Sequence, residues 1–397
     1  MFTVSNRWSI LCVLFLARLT MSFQFQAVAA LSPLLVEHYG VSIADVGLLI
    51  GLYLAPGVAV AIPGGAIAAR FGDKRIVSLS MLLMLVGGAM IGWGPGWGWL
   101  VVGRLLAGTG GVVINIVMTK MLMDWFVGRE ISTAMGIFIN SWPAGIALSL
   151  LTMPKLAAIG GLDLAWAAVM SVIALGLFLF VLVYRAPENN PAPAVRITVS
   201  KLPMFALFLA ASIWALYNAA LAMVFSFGPA YLNQLGWDLT SASSATSLFI
   251  IVVAVAVPIG GILADRTGQR DAVILASLLG YAILLPLALY VPSGAVPLVF
   301  IAVGLIFGLG AGPIVTLPSL ILRPESRAFG TGVYYSLYYA LMMAAPAFAG
   351  VIADRTGSIG SAFVFGSLML VVSVVALGVF RRVSARPTEA KQLSELD

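Results

Sequence analysis

Apolar stretches of about twenty residues recur from one end of this chain to the other, each long enough as a helix to cross a hydrocarbon core of roughly 30 Å. Backbone in lipid must satisfy its hydrogen bonds internally, which leaves helices or a closed barrel. Alternating strand patterns are absent and Gly, Ala and Leu abound, so the spans are helical. Twelve are centred near residues 20, 57, 86, 109, 144, 175, 217, 254, 281, 309, 341 and 371, and are numbered 1 to 12 below. Only 9% of the 397 residues are charged and 61% are hydrophobic, against about a quarter charged in soluble domains. The first span, from about Trp8 to Val36, is too long and too polar inside for a cleavable signal peptide.

Loop charges orient the bundle. With the N-terminus inside, the cytoplasmic segments collect Arg7, the Arg70–Lys74–Arg75 group, Lys120, Arg129, Arg185, Arg196, Lys201, Arg266, Arg270, Arg323, Arg327 and the Arg and Lys of the C-terminal tail. Of the 21 basic residues, Lys155 and Arg355 alone fall outside, while Arg18 and Arg104 lie within spans. This asymmetry predicts a multi-pass protein of a bacterial inner (plasma) membrane with both termini cytoplasmic. The net charge of +6 therefore reflects topology and contact with the bilayer, and no nucleic-acid partner is expected. A single Cys12 rules out an internal disulfide, and no metal cluster or cofactor is expected. His38, the one histidine, reads as a solvated residue at the outer end of span 1 rather than a proton sensor.

The segment 185–201, with Pro187, Asn189, Asn190, Pro191 and Pro193, reads as a cytoplasmic linker. It divides the chain into a first six-helix bundle (1–184), a second (202–381) and a tail (382–397). The bundles repeat one another. Leu14–Ala17 recurs at Leu207–Ala210, Gly65, Arg70 and Gly72 recur at Gly261, Arg266 and Gly268, and Gly108 and Gly110 recur at Gly308 and Gly310. The offsets of 193, 196 and 200 are nearly constant, so the halves are parallel copies about an axis along the membrane normal.

On these residues the sequence resembles the major facilitator superfamily over nearly its whole length. Gly261 to Arg270 looks like that superfamily's signature loop, and Gly65 to Arg75 is its first-half counterpart with Ala69 in place of the usual acid. Arg104 to Gly110 is similar to the Arg-x-x-x-Gly-x-Gly motif of span 4, and Gly350 to Gly357 resembles a related motif closing span 11. The resemblance implies two pseudo-symmetric six-helix bundles, an all-α membrane protein, and gating roles for Gly65, Arg70, Asp265, Arg266, Arg270 and Arg104. For Arg104, bonding to backbone near the outer gate is the alternative. Span 1 and the run Trp125 to Glu130 are similar to cyanate/nitroimidazole-type and oxalate/nitrate-type carriers.

Within the spans the chemistry is one-sided. All 15 acids lie at span ends, in loops or in tails, so no buried carboxylate can trade a proton for a cationic drug. Arg18 lies about ten residues into span 1, too deep to reach either interface easily, with Ser22 and Phe25 on its face and Gln26 beside it. Two roles are open to it: holding an anion, or bonding neighbouring helices together. Asn115, Asn140, Trp142, Trp214, Tyr217, Asn218, Tyr334 and Tyr338 supply uncharged hydrogen-bonding and stacking groups at similar depth. The chain is thus expected to be a monomeric carrier of a small, anionic solute working by alternating access. A multidrug or hydrophobic-metabolite exporter is the alternative. Nothing in the sequence supports an enzyme.

Overall fold

The computed structural model describes residues 6–61, 63, 71–126, 131–186, 203–322 and 327–393. Among these, eleven helical segments are long and apolar enough to cross a membrane. Ten are single spans: Arg7–Ala30, Ile43–Val60, Asp73–Trp93, Trp97–Phe126, Met204–Gln234, Leu239–Ala264, Arg270–Leu289, Ser293–Val315, Gly330–Thr356 and Ser361–Ser384. The eleventh, Ile137–Val183, is two. Its 43-residue helix Ser141–Val183 would extend about 65 Å if straight, twice the hydrocarbon thickness. The chain instead folds back at Gly160 and Gly161, where Gly161 has φ 68°, a left-handed turn that suits a residue without a side chain. Spans 5 and 6 therefore form one hairpin, and the total is the expected twelve.

Proline and polar breaks shape the helices where the centre of the bundle needs them. Asn140 separates the short helix Ile131–Ile139 from the rest of span 5, and Pro143 follows. Having no N–H, Pro143 leaves the carbonyl of Ile139 without its helical donor. Pro56 likewise interrupts span 2 between Ile43–Leu52 and Pro56–Val60.

The first six spans meet the last six along three seams. Span 1 touches span 7, span 5 touches span 8, and span 2 packs closely against span 11. That last seam is closed by small residues: a Cβ on Gly47 would collide with the Pro346 carbonyl, and one on Gly51 with the Met343 carbonyl. Four hydrogen bonds between described residues join the two sets. Three lie on the side away from the termini: Gln26 Nε2 donates to the Phe225 carbonyl (2.6 Å), and the Ile43 and Ala44 N–H groups donate to the Asp354 carboxylate (3.2 and 2.9 Å). The fourth, from Asn115 Nδ2 to Tyr339 Oη (3.0 Å), is at mid-depth.

On the side of the termini, polar pairs between described residues stay within one set. Lys120 bridges Asp73 (2.7 Å) and Asp124 (3.2 Å) at the ends of spans 3 and 4. Lys74 Nζ donates to the Val181 and Tyr184 carbonyls at the end of span 6. Arg381 pairs with Asp271 across spans 12 and 9. Among pairs in which both residues are described, the hydrogen bonds that join the two sets thus lie at the far side and at mid-depth.

Candidate functional site

A cavity of about 670 Å³ lies between the two sets of spans. It draws on spans 1, 2, 4 and 5 from the first set and 7, 8, 10 and 11 from the second. Its lining occupies the middle of span 1 and the termini-side parts of spans 4, 10 and 11, so it runs from mid-membrane toward the termini. Phe25 and Phe225, with ring centroids 6.1 Å apart, meet at its far end, just where Gln26 bonds the Phe225 carbonyl.

Arg18 is the charged member of the described lining. Its position follows from the break in span 5. Nη1 donates to the Ile139 carbonyl freed by Pro143 (3.2 Å), to the Phe138 carbonyl (3.0 Å) and to Ser141 Oγ (2.9 Å). Nε donates to Asn115 Oδ1 (3.0 Å), and the guanidinium carbon lies 4.8 Å from the Phe138 ring centroid. These contacts occupy Nε and Nη1. Among the described residues Nη2 has no hydrogen-bond acceptor, and no carboxylate pairs with the group. Arg18 thus bonds neighbouring helices, tying span 1 to spans 4 and 5, and among the described residues no carboxylate offsets its charge.

Asn115 passes the tie onward. Its carbonyl takes the Arg18 Nε–H while its amide donates to Tyr339, so an unbroken polar line crosses from span 1 through span 4 to span 11. Asn140, Trp142, Trp214, Asn218 and Tyr338 also line the cavity. Trp214 and Tyr338 stack at 6.4 Å and 28°, and Phe25 lies against Trp142 at 5.2 Å, so each set contributes a ring pair.

Four expected site residues sit behind the lining. Ser22 Oγ bonds the Leu19 and Ser141 carbonyls and is fully buried between spans 1 and 5. Gln26 belongs to the far-side closure through Phe225. Tyr217 is fully buried, bonding Ser277 Oγ and the Phe307 carbonyl at 2.5 Å each, and its ring stacks on Phe307, which takes the cavity position instead. Tyr334 is 3% exposed, packed edge-on against Tyr335. On span 11 the cavity is met by Tyr335, Tyr338 and Tyr339. The expected pair is thus split: Tyr338 meets the cavity and Tyr334 does not.

Of the residues expected to gate, Gly65 and Arg70 lie outside the described residues, as does the Asp265 side chain. Arg266 and Arg270 are exposed at the termini-side end of span 8 and the start of span 9. Arg104 is fully buried and donates to three carbonyls: Leu49 (2.8 Å), Gln24 (3.3 Å) and Phe25 (3.2 Å). It binds spans 1, 2 and 4 together toward the far side, which is the backbone-bonding role.

Comparison with known proteins places these features. Over 97% of its length the chain is 24% identical to the hexuronate transporter of Bacillus subtilis, covering 98% of that protein. It is 23% identical to a probable sulfoacetate transporter of Cupriavidus necator, with 88% of each chain covered. A probable nitrate/nitrite transporter of Mycobacterium tuberculosis matches at 24% identity over 72% of this chain and 74% of that one. Among solved structures, a bacterial homologue of the human lysosomal transporter Spinster superposes with a TM-score of 0.75 at 18% identity, covering 98% of both chains. The D-xylose–proton symporter gives 0.76 at 15% identity, covering 94% of this chain and 97% of that one. A model of the Major Facilitator Superfamily matches residues 12–238 and again 204–396. With both halves matched and the twelve-helix fold shared, the chain belongs to the Major Facilitator Superfamily and is a multi-pass secondary transporter, not an enzyme.

Proposed function

We propose that this carrier moves a small anion across a bacterial inner membrane by alternating access, with Arg18 holding the anion's charge. The observation that carries the reading is Arg18 in the lining of a cavity whose described residues include no acid, with Nη2 the one guanidinium nitrogen that has no acceptor among the described residues. An uncompensated guanidinium at mid-membrane is costly, about 2.5–3.5 kcal/mol on insertion scales, and an anion at Nη2 relieves that cost. The relatives named for hexuronate, sulfoacetate and nitrate all carry anions by name. The termini side is the cytoplasm in this reading, so the cavity faces inward and the ties through Gln26 and Asp354 close the outer side. The working unit is a monomer, with the division at 185–201 letting residues 1–184 and 202–381 rock against each other. Arg18, Asn115, Asn140, Trp142, Trp214, Asn218 and Tyr338 form the site, with Tyr335 and Tyr339 added from the cavity lining.

The test replaces Arg18 by Lys, Gln or Ala and measures uptake and ligand-induced thermal shift over a panel of anions. Loss of anion binding in Arg18→Ala, with partial rescue by Lys, is the expected result. Anion binding retained in Arg18→Ala overturns the proposal. One observation favours a second reading, an exporter of hydrophobic compounds: the ring pairs Trp214–Tyr338 and Phe25–Trp142 in the lining. That reading requires neutral aromatic compounds to shift the melting temperature equally with and without Arg18.

A further inference from the structure

The charge count, the free donors and the size of the cavity together narrow the anion, given the reading of Arg18 above. Among the described lining residues Arg18 is the sole cation. The other arginine buried in a span, Arg104, is occupied by three carbonyls and lies outside the lining. Arg18 itself has Nε and Nη1 committed to Asn115, Phe138, Ile139 and Ser141, leaving the Nη2 edge. One anionic group is therefore served, and a second would sit in the membrane interior with no counter-charge.

Size argues in the same direction. A cavity of about 670 Å³ lies within the ~300–1,000 Å³ range of pockets that enclose organic ligands of many atoms. An oxyanion of four or five atoms would touch Arg18 and leave the remaining walls without contact. Those walls offer flat apolar faces, the Trp214–Tyr338 and Phe25–Trp142 pairs. Among the described residues, the hydroxyls of Tyr335 and Tyr338 and the amide of Asn140 have no hydrogen-bond partner, so neutral polar groups on a ligand can be met there.

We propose that the substrate is a monoanion, a single carboxylate on a neutral, ring-sized body, and that dianions and small inorganic oxyanions are poor ligands. The carboxylate sits at Arg18 Nη2 and the body lies against the ring pairs. A sugar-ring acid and an aromatic acid share this chemistry.

The experiment uses the full-length protein in lipid nanodiscs, with affinities measured calorimetrically for six sodium salts: D-glucuronate, benzoate, D-glucarate, phthalate, sulfoacetate and nitrate. Phthalate adds one charge to the benzoate ring and is the ring-matched control; glucarate adds one charge to the glucuronate carbon chain and is open-chain. The expected result is binding of glucuronate or benzoate at least about 50-fold tighter than of its dianionic partner, the factor set by burying an unpaired charge. Nitrate, and sulfoacetate as a further dianion, are expected to bind as weakly as glucarate and phthalate. Which of glucuronate and benzoate binds distinguishes the saturated from the aromatic ring. Trp214→Ala is expected to weaken that ligand at least about tenfold. A dianion or nitrate binding as tightly as both ring monoanions overturns the inference, as does a panel in which neither ring monoanion binds. If the preferred ligand is a dianion or nitrate and its binding falls in Arg18→Ala, the anion site stands and only the substrate class fails. If binding is indifferent to Arg18, both fail.

Discussion

Removing the Asp354 carboxylate should loosen the closure on the side away from the termini. That carboxylate accepts from Ile43 and Ala44, the first two free N–H groups of span 2, and so serves as a cap supplied by span 11. The site is exposed, so each bond nets about 0.5 kcal/mol, and the negative charge at a helix N-terminus adds about 0.5 kcal/mol more. The sum of about 1.5 kcal/mol corresponds to roughly a tenfold change in the ratio of far-side-open to far-side-closed molecules. Ser226 offers a reporter, being 2% exposed beside the Phe225 closure. A Ser226→Cys protein with Cys12→Ser would be labelled in membranes by an impermeant maleimide applied from the far side. Asp354→Ala should raise the labelling rate about tenfold, and Asp354→Asn, which keeps one acceptor oxygen, should fall between. An unchanged rate in Asp354→Ala would show that the cap carries none of the closing energy.

Gly51→Ala pushes a methyl into the Met343 carbonyl across the same seam, an overpacking of about 1–3 kcal/mol, so labelling at Ser226→Cys should rise by about five- to 150-fold. Tyr339→Phe deletes the acceptor of the Asn115 amide and should weaken anion binding about three- to tenfold by calorimetry, because Asn115 orients Arg18. Tyr217→Phe should instead lower thermal stability by about 1 kcal/mol and leave the anion affinity unchanged, since its hydroxyl is spent on Ser277 and Phe307 behind the lining. In Arg104→Lys a single ammonium replaces the planar fork and cannot reach three carbonyls on two helices. The substitution should cost about 3 kcal/mol, read as a large fall in melting temperature.

Span number was legible because membrane thickness dictates length, and Arg18 stood out because a lone charge deep in an apolar run needs partners. Helix rotation was not. Lipid is as apolar as the interior of the bundle, so span 11 shows little contrast between its two tyrosine faces and the pattern could not say that Tyr335 and Tyr339, rather than Tyr334, meet the cavity. Ser22 and Gln26 failed to reach the cavity for a related reason: polar side chains in a span also serve to bond the next helix, as the Ser141 and Phe225 carbonyls do here. The exchange of Tyr217 for Phe307 needs the packing of spans 7 and 10, which no single helix encodes. Conversely, the anchoring of Arg18 was half-written in Pro143, whose missing N–H advertises an unsatisfied carbonyl four residues earlier.

The mid-depth bond from Asn115 to Tyr339 has a mechanical consequence. If the two bundles rock about a point near it, the edge of the hydrocarbon layer is a lever arm of roughly 15 Å, and each degree of rocking displaces that edge by roughly a quarter of an ångström. A tilt of about 10° then stretches the Asp354 cap by some 2.5 Å, past any hydrogen bond, while a bond at the fulcrum barely lengthens. The polar line from Arg18 to span 11 can thus act as an axle that survives the stroke. Ligand affinity and gate strength become separately adjustable, the first at the axle and the second at the rim.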